Sequence, residues 1–322
     1  RESITGTTAK PLFVLYGAKD DDVSGWPPYA GYNVRQSGFT LYDRFDGQEK
    51  SMAFVYDATH NGFVTHNEAF GTPPVPPLMT VADQQKILLA YCNAFCRLHV
   101  HGEAQWRGMF NGEWRPPTVS ATGTVMTIQY RHPARRTVDQ FEGPHAAGDW
   151  QTSTIGGALV QSGLPADPVE TQLYPQDNQS PHDTGGLRLT WNSTGDQLAL
   201  DIPAGQRDVT GFSHLQVRLG KVVNSASNPA GGQNLRIGLR DGAGNERLIR
   251  ASAFGGVLES AAGNEAGNNK SSLSTLRIPL TAYTVVCAGA VQVNLTDVVQ
   301  AKLVFSETAT GELAVDELEF TN

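Results

Sequence analysis

The sequence predicts two folds in one chain: a partial α/β region over residues 1–118 and an all-β sandwich over 137–322, joined by a linker at 119–136. Three observations lead there. In the first part, uninterrupted apolar runs alternate with helical periodicity. After WRPPTVSATGTV (114–125) the pattern turns to short runs of period two, bounded by Gly, Asn and Asp. The length of 322 residues also exceeds the usual span of one domain, about 100–200 residues.

PLFVLYG (11–17) is a continuous apolar run closed by glycine, as expected of a strand covered on both faces. SGFTLYDRFDGQ (37–48) carries Phe39, Tyr42 and Phe45 at helical spacing, and SMAFVY (51–56) is a second buried strand. Strand, helix, strand is the βαβ unit of a parallel sheet. Thr80 and Asp83 form a capping pattern that opens the helix DQQKILLAYCNAFCRLH. Its apolar stripe is Ile87, Leu88, Tyr91, Phe95 and Leu98.

The second part reads as strands throughout: LRLTW (187–191), QLALDI (197–202), SHLQVRL (213–219), NLRIGLRD (234–241), ERLIRA (246–251), TLRIPL (275–280), AKLVF (301–305) and ELAVDELEF (312–320). RDGAGNER supplies a hairpin turn, and AAGNEAGNNKSS (261–272) reads as a surface loop. Many strands without intervening helix indicate a β-sandwich.

Composition narrows the function. A formal charge of −8 and a pI near 5.5 give no basic stripe for nucleic acid. The longest nearly apolar stretch, TAYTVVCAGAVQV (281–293), falls short of the roughly 20 residues a membrane span needs. Three cysteines make no disulfide framework. Cys92, Cys96, His99 and His101 suggest a zinc cluster, but the cysteines share the helix's apolar stripe, where cysteine acts as a small hydrophobe. Cys287, in an apolar segment, is expected to be buried. No signal peptide is visible, and a chain starting at Arg1 is expected to lack its true N-terminus.

Asp20 lies three residues beyond Gly17, and His60 follows the second strand in ATHNGF. Both are expected at the C-terminal ends of adjacent parallel strands, where α/β sheets place their active sites. A carboxylate there can hold the imidazole Nδ1–H and stabilise the imidazolium formed when Nε2 takes a proton. The bland alternative is a solvated aspartate and an incidental strand-end histidine.

GAKD followed by DV, a helix, a strand and ATHNGF resembles the closing part of α/β-hydrolase fold enzymes of the dienelactone-hydrolase-like and prolyl-peptidase-like branches. The resemblance covers roughly residues 8–112. It implies that Asp20, rather than Asp21 or Asp22, is the acid of a catalytic triad and His60 its general base. It further implies a serine on a G-x-S-x-G elbow, and that motif occurs nowhere in the 322 residues. The chain is therefore expected to be the C-terminal segment of a serine hydrolase, esterase before peptidase. Nucleophile and oxyanion hole would come from a missing N-terminal half, and the chain alone would be inactive. No cofactor is expected for catalysis. Trp26, Tyr29 and Tyr32, in the loop after the acid, either line a substrate pocket or pack that loop down. GTPPVPP (71–77) reads as a stiff spacer.

VDQFEGPHAAGDW (138–150) and ELAVDELEF resemble the first and last strands of galactose-binding-like jelly rolls of the carbohydrate-binding-module type. That resemblance implies a glycan partner in an extracellular setting, and a structural calcium held by Glu142 and Asp316. Trp150 and Trp191 either stack on a sugar or fill the core. The alternative function is a non-catalytic carbohydrate- or partner-binding protein built on a degenerate hydrolase scaffold. Sequons at Asn178, Asn192, Asn269 and Asn294 matter only in a eukaryotic secretory pathway.

Overall fold

The computed structural model describes residues 10–20, 38–47, 49–64, 76–142, 150–173, 182, 184–222, 225–255, 258, 262–263, 269–270, 272–285 and 291–322. The chain forms two compact units. The first holds Arg1–Pro133, Gln172–Thr184 and Ala261–Thr275; the second holds Ala134–Thr171, Gly185–Ser260 and Leu276–Asn322.

In the first unit, β1 (Leu12–Lys19) lies parallel to β2 (Lys50–Thr59), in register from Leu12↔Lys50 to Gly17↔Val55. The crossover contains α1 (Gly38–Arg44), whose Phe39 and Tyr42 pack on Val14, Tyr16, Met52 and Phe54. Tyr16 and Phe39 meet edge to face at 5.3 Å. The opposite face of the sheet, with Ala53 and Val55, is covered by α2 (Val81–His99) through Ile87, Tyr91, Ala94 and Leu98. Thr80 caps α2: its Oγ1 accepts from Asp83 N at 3.1 Å and its hydroxyl donates to Asp83 Oδ2 at 2.8 Å.

Three readings change here. Gly17 does not end its strand, which runs two residues further to Lys19. Cys92 and Cys96 are exposed, because the buried stripe of α2 runs through Gln84, Ile87, Tyr91, Ala94 and Leu98, one step around the helix from them. The segment expected as linker contains β3 (Met126–Arg131), every residue of it buried, paired antiparallel with β2 from Val55↔Met126 to Lys50↔Arg131.

Two excursions from the second half of the chain also belong to the first unit. Ser272 Oγ meets Thr127 Oγ1 at 2.6 Å, and Thr275 Oγ1 accepts from Tyr130 N at 2.9 Å. The expected surface loop at 261–272 thus includes part of this unit's framework, and Ala262–Gly263 pairs with Asn269–Lys270.

The second unit is an antiparallel β-sandwich. Its strands are β4 (Arg135–Asp139), β5 (Leu159–Ser162), β6 (Val169–Gln172), β7 (Gly185–Trp191), β8 (Asp196–Asp201), β9 (His214–Lys221), β10 (Arg236–Asp241), β11 (Glu246–Arg250), β12 (Ser274–Pro279), β13 (Val298–Phe305) and β14 (Gly311–Thr321). One sheet has the order β11-β10-β13-β8-β5; the other has β12-β9-β14-β7-β6, with β4 also on β14. The chain passes repeatedly from one sheet to the other, as in a jelly roll. Alternate residues from both sheets build one core, including Leu187, Trp191, Val217 and Val315 from one side and Leu198, Ile237, Leu239 and Phe305 from the other. All eight strands expected from the alternation are present; β4, β5 and β6 are additional.

The turn after β10 is fixed by Asp241, whose Oδ1 accepts from Ala243 N (3.0 Å) and Asn245 N (2.9 Å). Its Oδ2 accepts from Asn245 Nδ2 (3.0 Å) and Asn294 N (2.9 Å). Burial alone would raise this carboxyl, but those hydrogen bonds together outweigh burial and hold it below its ordinary value. A depressed folded-state pKa stabilises the fold above the unfolded-state value and loses that contribution as pH falls through the folded one. Asp241→Asn is therefore expected to lower stability at neutral pH. In chemical denaturation at stepwise lower pH, the gap to wild type should close below the ordinary carboxylate range.

Candidate functional site

Asp20 and His60 meet. Asp20 Oδ2 lies 3.0 Å from His60 Nδ1; the carboxylate side chain is 7% exposed and the imidazole 34%. The backbone that achieves this is irregular. After Gly17↔Val55 the next partners are Lys19↔Thr59, so Ala18 alone faces Tyr56, Asp57 and Ala58. Such a bulge re-aims the residues that follow it. Asp57 takes the left-handed conformation within it (φ 60°), which aspartate tolerates better than most residues. Gly17 makes room on the neighbouring strand: a Cβ there would sit 2.5 Å from Ala58 O. Beyond the bulge the chain turns through a short 3₁₀ segment, Asn61–Phe63.

Bonds from α2 and its approach hold this turn. Met79 N donates to Asp57 O at 2.9 Å. Gln84, fully buried in the first turns of α2, accepts from Thr59 N at 3.1 Å and donates from Nε2 to Met79 O at 3.1 Å. Thr59 Oγ1 accepts from Gly62 N at 3.2 Å. Burial, with a smaller effect from the Asp20 charge, pushes the Tyr16 hydroxyl well above its ordinary range. Burial likewise raises the Asp57 carboxyl, against the pull of Lys19.

The first unit contains a second carboxylate–imidazole pair that sequence reasoning missed. His182 Nδ1 lies 3.2 Å from Asp43 Oδ2, with side chains 2% and 0% exposed. The His182 ring packs on Phe39 at 4.3 Å. The partners stand 139 positions apart and no local motif marks either. Lys50 Nζ, also buried, donates to Tyr42 O at 2.8 Å beside this pair. A substrate cannot reach an imidazole buried to this degree, so exposure distinguishes the two pairs: His60 can meet one and His182 cannot.

The remaining expected site residues fall elsewhere. Trp26, Tyr29 and Tyr32 lie outside the described residues, as does Cys287. Trp150 and Trp191 are 5% and 1% exposed, in the sandwich core. Trp191 stacks on Phe305 at 4.5 Å and donates from Nε1 to Thr308 O at 2.9 Å, so neither tryptophan presents a face to a sugar. Asp316 is fully buried. Its Oδ2 accepts from Arg218 Nη1 at 2.7 Å, and both side chains are buried. The same guanidinium lies 3.3 Å from Glu317. Glu142 is half-buried. Among the described residues no group of three or more His, Cys, Asp or Glu could hold a metal, and no helix is long and apolar enough to cross a membrane.

No family model matches the chain, and no curated protein matches it. Solved structures with similarity include the family 11 carbohydrate-binding module of a cellulosomal cellulase of Clostridium thermocellum. It has 11% identity and a TM-score of 0.37, over 58% of this chain and 94% of that one. A family 30 carbohydrate-binding module of another Clostridium thermocellum cellulosomal cellulase has 12% identity and a TM-score of 0.35, over 54% and 95%. An exo-beta-agarase has 10% identity and a TM-score of 0.37, over 59% and 25%.

Proposed function

We propose that the first unit supplies the acid–base pair of a serine hydrolase of the α/β type. The observation that supports this most is the 3.0 Å contact between Asp20 and a one-third exposed His60 at the C-terminal ends of adjacent parallel strands. With Nδ1 bonded to Asp20, proton transfer runs through Nε2. A serine Oγ attacks the carbonyl carbon of an ester as its proton passes to Nε2. That proton then goes to the departing alkoxide, and water repeats the sequence on the acyl-enzyme. Serine and oxyanion donors come from a polypeptide segment outside these 322 residues, since no G-x-S-x-G lies within them. Esters are the first substrates to test and peptides the next.

The test is hydrolysis of a chromogenic short-chain ester by the longest product of the reading frame and by the 322-residue chain alone. Turnover is expected from the former only, with His60→Ala lowering kcat by about 10³-fold or more. Full activity in His60→Ala would overturn the assignment.

The sandwich is proposed as an accessory binding module with a glycan as its ligand, on the resemblance of its first and last strands. Because Trp150 and Trp191 are buried, the contacts would come from other residues. Affinity electrophoresis of the whole chain through polysaccharide gels tests this, and unretarded migration on every polysaccharide counts against it.

A further inference from the structure

We infer that Gln84 is a positioning residue for His60: its amide fixes the turn that presents the imidazole to Asp20. The inference deepens the proposed acid–base reading, and only its kinetic arm depends on that reading.

A fully buried glutamine in a helix carries an entropic and a desolvation cost that an apolar residue would avoid, so its bonds must compensate. Both described side-chain bonds run to the backbone around the histidine. Oε1 takes the amide of Thr59, the residue immediately before His60. Nε2 takes the carbonyl of Met79, whose own amide is bonded to Asp57 O at the centre of the bulge. One side chain therefore links α2, the segment entering it, and the bulged strand end. The rest of α2's buried stripe is apolar, with Ile87, Tyr91, Ala94 and Leu98 packing on the sheet face rather than bonding to the turn. The bulge sets where the chain turns, and Gln84 sets how firmly the turn is held. A displacement of about 1 Å in a catalytic group can lower a rate by about a hundredfold, so loss of this anchor should be visible at the imidazole.

The test compares Gln84→Met, Gln84→Glu and Ile87→Ala in the full chain by NMR. The readouts are hydrogen exchange at the Thr59 amide and the His60 Nδ1–H resonance. Gln84→Met removes both bonds at similar volume; it is expected to cost Thr59 at least tenfold in protection and to broaden or shift the His60 signal. Gln84→Glu keeps an oxygen that accepts from Thr59 N in either protonation state, and is expected to retain both signals. Ile87→Ala, which removes packing on the same helix, is expected to lower Tm while leaving the His60 resonance in place. Should Gln84→Met fail to fold, Gln84→Leu, which also lacks both hydrogen-bonding atoms, takes its place with the same expected losses and the same contradicting result. In ester turnover, where the longer product shows it, Gln84→Met is expected to lower kcat by tenfold or more at unchanged KM. An unaltered His60 signal in Gln84→Met, or equal loss in Ile87→Ala, would overturn the inference. Absence of turnover in wild type would overturn the hydrolase reading alone and leave the NMR result standing.

Discussion

Trp191→Ala is expected to destabilise the sandwich by about 3–5 kcal/mol, the range for removing a buried tryptophan or phenylalanine from a core. The ring is 1% exposed and lies nearly parallel to Phe305, with an interplanar angle of 15°. Its removal leaves a cavity between the sheets and strips Thr308 O of a buried donor. Gly311 adds a further constraint, since a Cβ there would lie 2.3 Å from the indole, so the strand has packed directly on the ring. For a chain of 322 residues the expected fall in Tm is roughly 4–7 °C, read by calorimetry. A tryptophan serving as an exposed sugar platform would behave oppositely, losing affinity while stability stayed within about 0.5 kcal/mol of wild type. Unaltered stability in Trp191→Ala would contradict the core assignment.

Gly17→Val is expected to have the largest effect on the candidate site of any substitution outside Asp20 and His60. The constraint at Gly17 is spatial: a Cβ would sit 2.5 Å from Ala58 O and 2.9 Å from Ala58 C, both backbone atoms that no rotamer change can move aside. Strand and bulge must separate, and with them Asp20 and His60, which are held from opposite sides of this contact. The expected cost is about 1–3 kcal/mol of stability, as for other overpacked positions. Any ester turnover should fall towards that of His60→Ala. Gly205→Ala, with nothing within 4 Å of its Cβ, is the matched control and should be near neutral. Wild-type turnover in Gly17→Val would show that the bulge does not position His60.

What the sequence made legible follows from what is local. Period-two alternation in HLQVRL and LRIGL marked sandwich strands because each residue's neighbours at two positions share its face. The order of Asp20 and His60 was readable because two parallel strands bring their ends together whatever lies between. Effects that depend on distant partners were not readable. Nothing local in the sequence marks the pairing of Asp316 with Arg218, 98 positions away. His182 gives no sign of reaching Asp43. Cys92 and Cys96 sit at spacings consistent with either flank of the α2 stripe, and the small rotation that exposes them comes from tertiary packing. MTIQYR (126–131) alternates, yet as a single short run after a Pro- and Gly-containing stretch it carried no signal of pairing back to β2. The bulge is likewise invisible in the sequence, where Gly17 reads as the end of its strand.

The most direct measurement of the central claim, that Asp20 and His60 act as one acid–base unit, is a double-mutant cycle on ester turnover by the longest product of the reading frame. Asp20→Asn and His60→Ala should each lower kcat by about 10³-fold or more, and the double variant should be no slower than the slower single one, since residues acting as a unit are non-additive. Multiplying losses in the double variant, or near-wild-type turnover in either single one, would contradict it.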